Sequence, residues 1–433
     1  MNSTRLLAAV FTLLVLLTAP ARADWPDFRG PTADGHVSAG NVAKPLGLPL
    51  EWSEAKNVKW KTELPFRGWS TPVIMDGQVW LTTATEDGHD FYAICVDEAT
   101  GEVKYNVPLF HSDSPEPLGN NVNCYAACSP VIEPGRVYVH FGSYGTACLD
   151  TRTGNVIWKQ DNLPCRHFRG PSSSPVLFEN FVILTFDGAD MQYLAALDKA
   201  TGETVWKKDR DVEWNDADAP GKFAKEGDLR KAHSTPLLVT GPDGKPLLLS
   251  GGAKAAFGYD PRTGHEIWRI HFDDWSVAPR PLYQDGTAYL VTGLVHPQLW
   301  AVRVDGEGDV TETQVTWRLT QHVAKTASPI LVDGLIYMLG DDGIATAVDA
   351  ATGEVVCSKR IGGKFAGSPI YGDGRLYFCN QNGDTTIVKP GRTFETVATN
   401  TLDDGLMASP AVDGRALYLR TKTHLYRIET ASE

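Results

Sequence analysis

The stretch Cys148-Leu149-Asp150-Thr151-Arg152-Thr153-Gly154-Asn155-Val156-Ile157-Trp158 decides how the whole chain is read. An apolar run ends in Asp, a tight turn closes on Gly, and an aromatic residue follows four positions after that Gly. The Asp carboxylate can accept hydrogen bonds from the turn's N–H groups, and Gly supplies a left-handed residue, so the segment reads strand, turn, strand. The same offsets recur at Asp97–Gly101 with Tyr105, Asp198–Gly202 with Trp206, Asp260–Gly264 with Trp268 and Asp349–Gly353 with Cys357. Five copies at one spacing form a specific signal.

A second unit alternates with the first. Ser70-Thr71-Pro72-Val73-Ile74 leads through Asp76-Gly77 to Val79-Trp80-Leu81, and Ser129-Pro130-Val131-Ile132 leads through Pro134-Gly135 to Val137-Tyr138-Val139. Later copies open at Pro175, Pro236, Pro281, Pro329, Pro369 and Pro410, with successive prolines 40 to 61 residues apart. Paired strands at that period are the signature of propeller blades, and Asp-Gly is a strong hairpin turn. Two copies of the first unit are degenerate: Asp305-Gly306-Glu307-Gly308-Asp309 takes a longer route to Trp317, and Pro390-Gly391 leads to Phe394. The eighth unit stops at Leu425-Tyr426-Arg427-Ile428, its third strand, while Asn57-Val58-Lys59-Trp60-Lys61 resembles a fourth strand and precedes the first unit. The N-terminal strand therefore completes the last blade, which removes the exposed edges of an open array. The expected fold is all-β: an eight-bladed β-propeller of four-stranded antiparallel blades over residues 51–433, after an extension at residues 24–50.

Composition agrees. The 433 residues are 42% hydrophobic and 21% charged, which excludes wholesale disorder. The 41 Gly and 27 Pro favour short strands over long helices. With 53 acidic against 40 basic residues the net charge is −13, a poor balance for neutralising nucleic-acid phosphates. Residues 1–23 read as a secretory signal peptide: Arg5, the apolar run Leu6 to Leu17, and Ala21-Arg22-Ala23 as a small-x-small cleavage site. Its removal takes the charge from −13 to −15. The run is too short to span a bilayer and no Cys closely follows it. These features imply a soluble, monomeric protein exported to the periplasm or beyond, with no membrane span and no lipid anchor.

Seven Cys in an oxidising compartment require an account. Cys95 and Cys148 alternate with apolar residues and read as buried thiols. Cys124 and Cys128, if extended, stand roughly 13 Å apart, beyond the ~7 Å limit for a disulfide. Either one could instead bridge to Cys165 in the next repeat's corresponding loop. No zinc spacing is present.

The repeat Ala/Cys-x-Asp-x-x-Thr-Gly-x-x-x-Trp resembles that of the pyrroloquinoline-quinone (PQQ) quinoprotein-like propellers, and the likeness covers nearly all of the chain after residue 23. The opening Asp24-Trp25-Pro26-Asp27-Phe28-Arg29-Gly30-Pro31 is similar to the start of a secreted bacterial subgroup. The family implies two functions: quinone-dependent dehydrogenases of alcohols or sugars, and a non-enzymatic propeller that helps assemble outer-membrane barrels. The dehydrogenases carry a vicinal disulfide against the quinone and calcium beside it. This chain has no Cys-Cys pair, and its acidic runs at Asp211–Asp218 and Asp305–Asp309 read as solvated loops. The assembly propeller is usually lipid-anchored, and the Cys for that is missing here.

If the proline unit is the innermost strand, the residues just before it converge on the channel mouth. They are Arg67, Trp69, Asn123, Tyr125, Arg166, His167, Arg169, Lys231, His233, Trp275, Arg280, Lys325, Lys364 and Met407. Such a cationic, aromatic funnel suits a small carboxylate, phosphate or saccharide ligand, or a protein partner. The competing expectation is ion pairing between blades, with Asp403 and Asp404 in the eighth loop. No catalytic triad, nucleophile elbow or phosphate loop is present, so the leading reading is a non-catalytic binding scaffold with no assigned cofactor. The alternative is a PQQ-dependent dehydrogenase using calcium. The polar insert Asp209 to Ala232 reads as a surface lid or partner-binding loop.

Overall fold

The repeat offsets become blades. The computed structural model describes residues 24–37, 45–119, 122–219 and 222–431. Residues 1–23, the expected leader, lie outside them. Eight antiparallel sheets succeed one another in a ring. Blade 1 consists of Val73–Met75, Gln78–Ala84, Asp90–Asp97 and Val103–His111, in that order. The innermost strand of every blade starts directly after a repeat proline, as in Val131–Glu133 and Val176–Phe178. Blade 8 is closed by the N-terminal strand Val58–Glu63, which pairs antiparallel with His424–Ile428.

Blade 4 departs from the pattern. Gly308–Asp309, inside the degenerate acidic insert, adds parallel to Glu266–His271 as a fifth strand. Part of that insert thus extends the edge of the neighbouring blade. Middle strands are buried on both faces between adjacent blades, so six of the seven residues of Phe181–Asp187 are buried and five are apolar. Outer strands such as Thr204–Asp209 are mostly exposed, with only alternate residues sheltered.

The aromatic and the Gly of the first unit meet across blades. Trp158, on the outer strand of blade 2, lies against Gly202 in the turn of blade 3, and its Nε1–H donates to Lys199 O at 2.9 Å. Gly202 has φ +75°, and a Cβ there would stand 2.6 Å from the indole ring. The position therefore needs Gly twice, for its backbone and for its missing side chain. The same contact joins Trp60 to Gly101, Tyr105 to Gly154, Trp206 to Gly264 and Trp317 to Gly353. The turn is held by Asp150, whose Oδ1 accepts from Thr153 N, Arg152 N and Thr153 Oγ1 at 2.9–3.1 Å. The Thr153 backbone bond leads the contacts that hold this carboxyl below its usual range.

The cysteines depart from one expectation. All seven are free thiols, including Cys124, Cys128 and Cys165. Cys165 is packed by Gly188 in blade 3 with its Sγ on Met191 O at 3.6 Å, whereas Cys128 O accepts from Thr82 of blade 1. Among the described residues, no helix is long and apolar enough to cross a membrane.

Gly202→Ala should lower stability by about 3 kcal/mol, the sum expected of a core clash and a left-handed Ala. Urea unfolding followed by tryptophan fluorescence checks this, and an unchanged midpoint would show that the interblade contact carries no stability.

Candidate ligand site in the central channel

The residue ahead of each opening proline forms the waist of the channel. Thr71, Ser129, Ser174, Thr235, Ser328, Ser368 and Ser409 occupy this position, and Arg280 occupies it in blade 5. All seven hydroxyl residues are 1–4% exposed. Six of the eight backbone N–H groups reach the next blade: Thr71 to Ser129 Oγ, Ser129 to Ser174 Oγ and Ser174 to Thr235 Oγ1, all at 2.9 Å. The series resumes from Arg280 to Ser328 Oγ, Ser328 to Ser368 Oγ and Ser368 to Ser409 Oγ, again at 2.9 Å. These bonds satisfy buried N–H groups that no strand ladder could reach.

Arg280 points elsewhere. Its Nε–H donates to Pro236 O at 3.0 Å, and its Nη1 meets Asp27 Oδ1 at 2.5 Å, with the guanidinium side chain 2% exposed. Asp27 belongs to the N-terminal extension, which crosses beneath the waist. Trp25 exchanges two backbone bonds with Ile74 of blade 1, and Ile132 N of blade 2 donates to Pro26 O. Arg29 donates to Pro329 O and Pro369 O of blades 6 and 7, and Gly35 and Val37 pair with Tyr371. Burial pushes the Arg29 guanidinium down to about 9, against the pull of Asp34. This strap touches five of the eight blades, and Phe28 forms part of the cavity lining.

Above it lies a cavity of about 570 Å³. The hydroxyl waist lines its lower part, and Trp69, Asn123, Arg169, Lys231, His233 and Trp275 line its wall. The insert after residue 209 folds over this mouth as a short hairpin, Ala217–Ala219 with Lys222–Phe223, followed by the 3-10 segment Ala224–Arg230. An Arg230–Asp216 ion pair at 2.5 Å anchors it, and it adds Lys225 and Asp228 to the cavity.

The wall carries both signs of charge. Asp228 accepts Lys231 at 3.1 Å and lies 3.7 Å from Arg169, while Lys231 also donates to Ser276 Oγ at 2.9 Å. Desolvation lowers the Lys231 pKa, opposed by Asp228. Lys225 sits 5.3 Å over the Trp275 ring. Asp341, the second carboxylate on the wall, is raised by burial and accepts Thr326 Oγ1 at 3.2 Å. Burial, helped by Lys231, holds His233 far below the ordinary imidazole value and therefore neutral.

Of the residues anticipated at the mouth, Trp69, Asn123, Arg169, Lys231, His233, Trp275 and Met407 line the cavity. The others lie off it. Arg67 stacks 4.9 Å over Trp69, and Tyr125 donates its hydroxyl to Glu116 O at 2.9 Å. Arg166 pairs with Glu116 at 2.7 Å, and His167 is wedged beside Gly142 and Phe186 with its Nε2 buried. Arg280 is committed to Asp27. Lys325 and Lys364 act on Asp341 from outside the cavity, and Lys364 is exposed. The sequence reading missed the hydroxyl waist, the strap, Lys225 and Asp228. The waist had a visible signal in the small hydroxyl residue ahead of seven of the repeat prolines.

An eight-bladed ring of these turn units around a central channel defines a PQQ-type quinoprotein-like propeller. The chain belongs to the family described as outer membrane protein assembly factor BamB, whose profile matches residues 50–161 and 190–433. A quinoprotein ethanol dehydrogenase of Pseudomonas aeruginosa is 28% identical over 156 residues, 33% of this chain and 22% of that enzyme. A quinohemoprotein alcohol dehydrogenase of Pseudomonas putida is 26% identical over 157 residues, 33% of this chain and 19% of that enzyme. The match therefore spans about a fifth of the length of these relatives. Among solved structures, BamB from Moraxella catarrhalis superposes with a TM-score of 0.58 at 14% identity, covering 86% of this chain and 99% of that one. A europium-containing methanol dehydrogenase gives 0.67 at 11% identity, covering 92% and 89%. These likenesses establish the fold.

Asp27→Ala should cost about 3–5 kcal/mol, because it leaves the Arg280 guanidinium buried without its carboxylate. Replacing both partners, as Asp27→Leu with Arg280→Met, should recover most of that loss. Denaturant unfolding of the three proteins checks the pair, and a single variant as stable as the parent would show that the strap is held by other contacts.

Proposed function

We propose that the chain is an exported, periplasmic or extracellular binding propeller, monomeric, that takes a small anionic or saccharide ligand in its channel without catalysing a reaction. The observation that carries this reading is a channel barred beneath by the strap and lined above by Arg169, Lys225 and Lys231 against Asp228 and Asp341. A local excess of cations within a chain of charge −13 favours an anion, and Trp69 and Trp275 offer flat faces for the body of the ligand.

The quinone-dependent alternative draws on the dehydrogenase relatives. The three carboxylates of PQQ suit the three wall cations. The calcium that accompanies it does not suit this wall. Asp228 is held by Lys231 and Arg169, Asp341 is held by Thr326, and among the described residues no three His, Cys, Asp or Glu side chains gather to hold a metal. Calcium requires six to eight convergent oxygens.

Calorimetric titration of residues 24–433 with citrate, inorganic phosphate and glucuronate tests the proposal. Saturable binding of at least one is expected, weakened about tenfold, or about 1.4 kcal/mol, by Lys225→Met or Arg169→Met. No binding of any of the three, or turnover of alcohols or sugars in a dye-linked assay, would overturn it.

A further inference from the structure

We infer that the hydroxyl waist is a ring of hydrogen-bond donors that receives the oxyanion end, carboxylate or phosphate, of the channel's ligand. This rests on the reading of the channel as a ligand site and extends it to the hydroxyls of the waist.

The direction of the waist's own bonds carries the argument. The hydroxyl oxygens of Ser129, Ser174, Thr235, Ser328, Ser368 and Ser409 each accept an N–H from the preceding blade at 2.9 Å. A hydroxyl keeps one proton and one further lone pair after accepting such a bond. Accepting polarises the oxygen, so its own O–H becomes the better donor. Among the described residues, none of these six hydroxyls donates to a protein group, and all line the cavity. Thr71 closes the set with a buried Oγ1 that has no hydrogen-bond partner among the described residues.

Hydroxyls that donate to no protein group are served by an acceptor-rich group in the space they line. The surrounding charge selects the kind of acceptor. Lys231 stands on the cavity wall with the ring, whereas the Arg280 guanidinium is turned away and neutralised by Asp27. The cations of the wall, Lys231 with Arg169 and Lys225, favour an oxyanion over a neutral polyol at a donor ring. Blade 5 contributes no hydroxyl, so the ring is open on that side and the ligand is held from blades 1 to 4 and 6 to 8. With the anion low in the channel, the rest of the molecule extends upward past Trp69 and Trp275.

Amide NMR of isotopically labelled residues 24–433 tests the ring directly, because the N–H groups bonded to the hydroxyls report any change at them. Titration with inorganic phosphate and with citrate should move the amides of Ser129, Ser174, Ser328 and Ser368 saturably, and glucose should leave them still. Ser368→Cys, which weakens the donor at nearly constant size, should lower affinity about tenfold, and Ser368→Thr should retain it. If Ser368→Cys fails to fold, the amide shifts of the parent protein decide. Saturable shifts at Lys225, Lys231 and Trp275 with silent ring amides would overturn the ring while leaving the channel reading intact. Equal ring shifts with glucose would overturn the oxyanion class. Silence throughout, with every probe, would overturn the channel reading and the ring together.

Discussion

The structure depends on one contact, an aromatic ring on the outer strand of a blade seated on the bare Gly of its neighbour's turn. Trp60, Tyr105, Trp158, Trp206 and Trp317 each make it. The ring covers a backbone that cannot carry a side chain, and in the Trp60, Trp158 and Trp317 contacts the indole N–H binds a carbonyl of the same turn. The step from one blade to the next is fixed there at five of the eight joints. At two of the joints that lack it, another contact stands in. Trp268 packs within its own blade against Gly258, and the added Gly308–Asp309 strand joins blade 4 to the blade 5 insert. Cys357 has no ring to offer, and Tyr337 bonds Gly391 N at 2.6 Å instead, with Phe394 edge-on to it.

Once that step is fixed, the innermost strands stand close enough for the N–H of one to reach the hydroxyl of the next. The waist follows from the ring geometry, and the strap follows from the waist. Arg280, the residue that interrupts the hydroxyl series, is the one that ties down Asp27. A break in a repeat is therefore the point at which the aperiodic N-terminus is fastened, and the fastening gives the channel a floor.

The periodic parts of this molecule were legible in sequence. Five identical offsets gave the turns, eight prolines gave the innermost strands, and the lone strand at Val58–Glu63 gave the closure. The site was legible only in part, because a position in a loop does not say which way its side chain turns. Arg169 and Lys231 reach the cavity, while Arg166 and Arg280 pair with Glu116 and Asp27 before they can. Lys225 and Asp228 lie in an insert with no counterpart in other blades, so no repeat could place them. The strap was invisible for the same reason: nothing in residues 24–37 repeats. The family supplies a frame that serves both an assembly factor and dehydrogenases, so function has to be argued from the side chains of the channel.

The most direct measurement is a tryptophan-fluorescence titration of residues 24–433 with PQQ, with and without calcium, corrected for absorption by the quinone. A channel built for an oxyanion predicts that calcium leaves the quenching curve unchanged and that citrate or phosphate competes with any quinone that binds. Saturable quenching that appears only with calcium, accompanied by dye reduction on an alcohol or sugar, would contradict it.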